Sequence, residues 1–292
     1  MPKLTDISYV KKLMEENGLT FLKKYGQNFL INESVPTRTA ELCEEDKSCG
    51  VIEIGPGIGT LTSQLAERFK KVVAVEIDTR LLPVLDITLG EYDNVTVING
   101  DIMDFDINEL IKEHFEGMDV CVCANLPYYI TTPIVMKLLE SSADLKSITI
   151  LIQKEVADRL CACPASAEYG AITASVAYYA EAKKLFNVSA GSFMPAPKVD
   201  STVVKLSLYK DKPVKPQNEE LMFKVIKAAF LQRRKTMSNA VWNAVGVSKT
   251  TVGDILEQMG LSRDIRGERL SVEEFAKFSD LLLIHMKNIS DK

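Results

Sequence analysis

Histidine is almost missing from this sequence, with only His114 and His285 among 292 residues. A mechanism built on a histidine base has little to draw on, and neither does a metal site that needs imidazole ligands. The six cysteines do not make a zinc pattern. Four form Cys-x-Cys pairs, Cys121/Cys123 and Cys161/Cys163, and Cys43 and Cys49 stand apart, whereas zinc sites favour Cys-x-x-Cys. Long apolar runs are also missing, since crossing a bilayer takes roughly 18 or more such residues in a row. The opening stretch MPKLTDISYVKKLMEENG scatters charges where a signal peptide would carry an apolar segment. These absences lead to the expectation of a cytoplasmic chain with reduced thiols, no bound metal and no membrane association. Positive charge is in short supply too, with 35 Lys and Arg against 40 Asp and Glu for a net charge of −5. That balance does not advertise a nucleic-acid partner.

The distribution of charge says more than the total. Between Leu221 and Gly253 lie six basic residues, Lys224, Lys227, Arg233, Arg234, Lys235 and Lys249, and no acidic one. The N-terminal portion adds Lys11, Lys12, Lys23 and Lys24. Either cluster alone reads as a solvated helix face. Together, on an acidic chain, they describe a localised phosphate-binding surface.

Residues 50 to 155 alternate β-branched runs with helical stretches, the pattern of a parallel sheet flanked by helices. Strands are expected at Gly50–Ile54, Lys71–Ile77, Val95–Asn99, Asp119–Ala124 and Ser147–Gln153. Helices are expected at Leu61–Phe69, Arg80–Leu89 and Thr132–Ser141, with a further one near Ala171–Tyr179. Two more strand-like runs, Ala182–Val188 and Thr202–Tyr209, are placed to pair as a hairpin at the sheet edge. The fold class is therefore α/β, with a Rossmann-like sheet of the class I methyltransferase kind, seven-stranded and ending in a hairpin pair. Lys210-Asp-Lys-Pro-Val-Lys-Pro216 reads as a linker, and the residues beyond it show only helical periodicity, as in Leu221, Val225, Ala228 and Ala229. The expected domains are 1–209, binding a cofactor, and 210–292, small and all-helical.

The first strand runs into Glu53-Ile-Gly55-Pro-Gly57-Ile-Gly59-Thr60. The dinucleotide fingerprint G-x-G-x-x-G would need glycine at position 60, and threonine stands there. G-x-G-x-G is the form used by S-adenosylmethionine-dependent methyltransferases, although ordinary strand-to-helix turns use glycine as well. Glu76 lies at the end of the second strand, where a carboxylate can accept both hydroxyls of a ribose. Asp101 follows the third strand, placed to accept from an exocyclic adenine amine. The fourth strand ends in Asn125-Leu126-Pro127-Tyr128. The amine of adenine is a poor nucleophile because its lone pair is delocalised into the ring. The Asn125 side-chain oxygen and a backbone carbonyl held by Pro127 can accept its two N–H groups and favour a pyramidal nitrogen. Tyr128 can stack on a flipped base. The plain alternative is a strand-ending turn with a half-buried tyrosine.

Taken with these motifs, the sequence resembles the ribosomal RNA adenine dimethylases over almost its whole length. The resemblance rests on Lys24-Tyr-Gly-Gln-Asn-Phe-Leu30, Glu53 to Gly59, Glu76-Ile-Asp78, Gly100-Asp101 and Asn125-Leu-Pro-Tyr-Tyr-Ile130. It continues in Gln153-Lys-Glu-Val-Ala157, Tyr169-Gly170, Phe193-Met-Pro-Ala-Pro-Lys-Val-Asp-Ser201, Ala229-Phe230 and Arg233-Arg-Lys235. It implies that S-adenosyl-L-methionine is held by Asn28, Leu30, Gly55, Gly57, Glu76, Ile77, Asp101, Ile102 and Asn125. The implied catalytic set is Asn125, Leu126, Pro127, Tyr128 and Phe193, with Phe193 facing Tyr128 across the target adenine. Lys23, Lys24, Arg233, Arg234 and Lys235 would meet rRNA. The implied reaction is N6,N6-dimethylation of two adjacent adenosines near the 3′ end of small-subunit rRNA, by a monomer acting on an assembling 30S-type subunit.

The rival readings are a large-subunit adenine dimethylase of the macrolide-resistance type, a DNA adenine methylase and a non-catalytic assembly factor. Leu126, the Tyr128-Tyr129 pair and the intact Pro-Lys-Val-Asp-Ser segment favour the small-subunit enzyme. Departures from the family pattern are the overall acidity, the Cys161-Ala-Cys163 loop and Gly267 in the last domain.

Overall fold

The computed structural model describes residues 3–20 and 26–290. The chain divides into two compact units, residues 1–157 with 182–208, and residues 158–181 with 209–292.

The first unit is built on strands β1 (Phe29–Leu30), β2 (Gly50–Ile54), β3 (Lys71–Glu76), β4 (Val95–Asn99), β5 (Val120–Asn125), β6 (Leu145–Gln153), β7 (Ala180–Val188), β8 (Phe193–Met194) and β9 (Ser201–Leu208). Seven of them form one sheet in the order β4-β3-β2-β5-β6-β9-β7, and β1 pairs separately with β8. Strands β4 to β6 run parallel to one another in the sheet, and β9 lies antiparallel to β6. The expected α/β sheet of seven strands is therefore present. The expected final pair does lie together at the edge, but no tight turn joins it. Its connection carries a 3₁₀ turn, Ala190–Ser192, and then β8.

Strand β2 is buried at every position, as a strand with neighbours on both sides and cover on both faces should be. Four thiols meet beneath it. Cys121 Sγ lies 3.7 Å from Cys43 Sγ and 3.8 Å from Cys49 Sγ, and Cys123 belongs to the same apolar cluster. Sequence spacing hid this grouping because the residues come from separate elements. Among the described residues, no three His, Cys, Asp or Glu side chains are arranged to hold a metal.

One register relationship positions the site. Ile54 of β2 pairs with Val75 of β3 on one side and with Ala124 of β5 on the other. The residue that follows on each strand, Gly55, Glu76 and Asn125, therefore falls level at the carboxyl edge of the sheet. Ligands bind outside this edge in open α/β sheets.

The second unit is helical, and short polar residues start its helices. Asn218 caps Glu219–Leu231 by accepting the Leu221 N–H, Thr236 caps Met237–Val245, and Ser248 caps Lys249–Gln258. Gly246, at φ +74°, ends the second of these. The core gathers Tyr169, Tyr178, Val225, Ile226, Phe275 and Phe278. Residues 158–181, which the linear reading assigns to the first domain, group here because Tyr169, Ala174 and Tyr178 are part of that core. Gly267 also has a packing reason, since a Cβ there would stand 2.7 Å from the Ala229 Cβ. Among the described residues, no helix is long and apolar enough to cross a membrane.

Candidate active site

The turn after β2 is made of three left-handed glycines, Gly55, Gly57 and Gly59, at φ +70°, +63° and +87°. At Gly57 a Cβ would come within 3.2 Å of the Phe29 ring, so the conformation and the close approach both select glycine. At Gly55 a Cβ would meet nothing within 4 Å, which leaves bare backbone with open space before it. The cleft there encloses about 750 Å³, part of it open to solvent. Its walls come from three stretches, Gly26 to Leu30, Glu53 to Leu61 and Asn125 to Tyr128, joined by Glu76, Ile77 and Leu81.

The carboxylate of Glu76 is buried and already oriented. Oε2 accepts the Gly57 N–H at 3.1 Å, and Oε1 accepts the Asp78 N–H at 2.8 Å. Burial raises its pKa, and these backbone donors offset part of that shift. Each oxygen keeps a second acceptor position, a geometry suited to the two hydroxyls of a ribose. Next to it, Ile77 is 40% exposed at the cleft, an apolar platform that water does not favour. Asp78 is buried and tied down, accepting from Arg80 Nε at 2.9 Å and from Gln27 Nε2 at 2.8 Å. The Arg80 guanidinium holds the Asp78 carboxyl below its ordinary range. Gln27 thereby fastens the N-terminal wall to the loop after β3.

Glu53 is the second buried acid in the wall. It is 1% exposed, and its Oε2 has no hydrogen-bond partner. Burial, with the nearby Glu76 charge adding to it, pushes its pKa up to about 8, so the side chain is neutral at pH 7 and carries a proton to donate.

The tetrapeptide after β5 is held from several sides. The Asn125 amide nitrogen donates to the Asn28 carbonyl at 3.2 Å. The Leu126 N–H donates to the Leu151 carbonyl at 3.1 Å. The Pro127 carbonyl is engaged by Thr131 Oγ1 at 3.1 Å and by the Ile130 N–H at 3.3 Å, at the start of the helix Thr131–Glu140. Tyr128 is half-buried, its hydroxyl 2.7 Å from Ser201 Oγ.

Of the residues expected at the site, Asn28, Leu30, Gly55, Gly57, Glu76, Ile77, Asn125, Leu126, Pro127 and Tyr128 all line this one cleft. Three do not. Asp101 caps the short turn Ile102–Asp104, its Oδ1 accepting the Met103 N–H at 2.9 Å, and Ile102 is buried. Phe193 is 2% exposed and packs among Leu30, Val35, Leu151, Val188 and Val203. The pairing of β8 with β1 sets it opposite Leu30, and a bare phenyl ring gains most from that dry cluster. The expected aromatic pair across the cleft is therefore not assembled here, and Tyr128 lines it without Phe193. Lys23 and Lys24 lie outside the described residues. Arg233, Arg234 and Lys235 are exposed in the second unit, where Arg233 donates to the carbonyls of Ala167, at 2.6 Å, and Tyr169, at 3.0 Å.

Linear reading missed Glu53, Gln27 and Asp78 as parts of the site. Nothing in one sequence shows that Glu53 is buried or that Gln27 reaches a residue 51 positions away.

The ribosomal RNA adenine dimethylase family model matches residues 18–282. The chain belongs to that family. A ribosomal RNA small subunit methyltransferase A of Lachnoclostridium phytofermentans is 46% identical over 290 residues, covering 98% of this chain and all of that one. A protein of the same name from Bacillus licheniformis is 48% identical over 276 residues, 93% of this chain and 94% of the relative. Among solved structures, a dimethyladenosine transferase from Plasmodium falciparum superposes with a TM-score of 0.73 at 27% identity, over 89% of this chain and 98% of that one. This rRNA adenine dimethylase uses S-adenosyl-L-methionine. The cleft suits that group. The orphaned Glu53 oxygen, the two pre-set oxygens of Glu76, the bare backbone at Gly55 and the exposed Ile77 are the acceptor, donor and apolar surfaces a nucleoside with an amino-acid tail requires.

Proposed function

We propose that the protein dimethylates N6 of two adjacent adenosines near the 3′ end of small-subunit rRNA during assembly of a 30S-type subunit. The observation that carries this reading is the orientation of Asn125. Its amide nitrogen is committed to Asn28, which turns Oδ1 the other way, at a position lining the cleft. An acceptor there suits the amine of an adenine. Of the two carbonyls flanking the ring of Pro127, its own is taken up by Thr131 and Ile130, so Leu126 supplies the second acceptor. When bound, the cofactor supplies an electrophilic methyl group. In this reading Glu76 holds its ribose, and Asn28, Leu30, Gly55, Gly57 and Ile77 shape the remaining wall. Tyr128 stacks on the target base. The remaining catalytic effect is positioning, and no strong base is required.

The small-subunit assignment rests on the names of the bacterial relatives and on how much of each chain they share. Lys23, Lys24, Arg234 and Lys235 are the proposed phosphate contacts, so affinity should fall steeply with salt. We place the enzyme in the cytoplasm as a monomer.

A labelled-methyl assay tests the proposal, with unmethylated small subunits, large-subunit rRNA and duplex DNA offered in parallel. Dimethyladenosine from small subunits alone is the expected product. Label in large-subunit rRNA would overturn the substrate assignment, and no transfer to any of the three would overturn the activity.

A further inference from the structure

The Pro-Lys-Val-Asp-Ser segment that ends at Ser201 is absorbed by none of the roles above. Ser201 opens β9 and is fully buried. Because β9 runs antiparallel to β6, its first residue stands where the parallel strands end. Ser201 pairs with Gln153, the last residue of β6, and Leu151 of β6 pairs with Asn125. The topology thus carries a hydroxyl from a distant part of the chain to the catalytic edge, and its Oγ stops 2.7 Å from the Tyr128 hydroxyl.

Ser201 is itself held firmly. The carbonyl of the preceding Asp200 accepts the Lys154 N–H at 3.0 Å, and the Asp200 carboxylate accepts the Ala190 N–H at 2.9 Å. The Tyr128 ring is thereby fixed at both ends. Its backbone follows the rigid Pro127, and its hydroxyl is tied to the sheet. A tyrosine used only for its apolar face would need no such tie. One that must present its ring plane to an incoming base gains from it, because every torsion fixed in advance is one the substrate need not fix. Burial also raises the Tyr128 pKa, so the phenol remains a neutral partner for Ser201 across the physiological range.

We infer that Ser201 is a positioning residue for methyl transfer, holding the Tyr128 ring in its base-stacking orientation through the hydroxyl–hydroxyl hydrogen bond. The inference rests on the reading of Tyr128 as the stacking residue. It requires no contact between Ser201 and either the cofactor or the RNA.

The test is a double-mutant cycle in the full-length chain, using Ser201→Ala, Tyr128→Phe and the pair, with unmethylated small subunits as substrate. Each single change removes the same hydrogen bond from opposite ends. Each should lower kcat/KM by about three- to tenfold, the range one such bond supports. The double variant should fall no further than the worse single one. S-adenosylmethionine affinity should stay at the parent value, and any fall in Tm should be no larger in the double variant than in the worse single one, a pattern that a general packing role for Ser201 would not give. Multiplicative losses in the double variant would overturn the inference. So would unchanged turnover in Ser201→Ala, or a matching loss of cofactor affinity. Tyr128→Ala, run alongside, tests the underlying reading separately. Full activity there would remove the stacking role itself, whereas a large loss there with an inert Ser201→Ala would overturn only the positioning role.

Discussion

The side-chain amide of Asn125 donates to the backbone carbonyl of Asn28, 97 residues away in sequence. Asn28 is fixed in turn, its own amide donating to the Gly26 carbonyl at 2.9 Å. A segment before the sheet therefore decides which way the Asn125 amide, the proposed acceptor for adenine, faces. Asn125→Ala should lower kcat by about 10²- to 10³-fold, the cost of losing one preorganised acceptor, while S-adenosylmethionine affinity changes little. Single-turnover methyl transfer would check this. Near-normal turnover would remove Asn125 from the mechanism.

Glu76 accepts two backbone N–H groups and is the proposed ribose acceptor. Glu76→Ala should weaken cofactor binding by about 10²-fold or more, two charge-assisted hydrogen bonds being lost with the carboxylate. Titration calorimetry with S-adenosylmethionine reads the change directly. An unchanged Kd would place the ribose elsewhere.

Glu53, with its pKa raised to about 8, binds its proton more tightly in the folded chain than in the unfolded one. Its contribution to stability is full below the ordinary carboxylate range, declines as pH rises, and is gone above about 8. Glu53→Gln keeps the shape and removes the titration. Between pH 5 and 8 the stability gap between variant and parent should shift in favour of the variant, on the order of 1 kcal/mol per pH unit. Urea denaturation across that range is the measurement. A gap that does not vary with pH would mean that Glu53 does not titrate there.

Arg233 braces the backbone at Ala167 and Tyr169, whereas Arg234 and Lys235 stand exposed beside it. Sequence reasoning treats the two arginines as equivalent rRNA contacts. The structure separates them. Arg233→Glu should lower Tm as well as RNA affinity. Arg234→Glu with Lys235→Glu should leave Tm alone and reduce the dependence of RNA affinity on log salt by about two, one for each lost phosphate contact. Filter binding at several salt concentrations, with a melting curve for each variant, distinguishes them. An unaltered salt slope in the second variant would move the RNA surface elsewhere.

The alternation of strand and helix, the glycine turn and the acid at the end of β3 were all legible in the chain, because each is a local pattern. Strand burial writes itself as β-branched runs, left-handed turns as glycine, and the helical second unit as the spacing of Leu221, Val225, Ala228 and Ala229. Asn28 and Leu30 came from family resemblance, since nothing periodic marks them, and the structure does set both in the cleft wall.

Tertiary structure decided what depends on distant pairings. The register of β2 with β3 and β5 set Gly55, Glu76 and Asn125 level. Antiparallel β9 delivered Ser201 to Tyr128. The pairing of β8 with β1 took Phe193 into the core rather than the cleft. Burial made Glu53 a neutral acid. Local sequence supplies the chemistry of each group, but its partner, its dielectric surroundings and its direction are set by residues far along the chain.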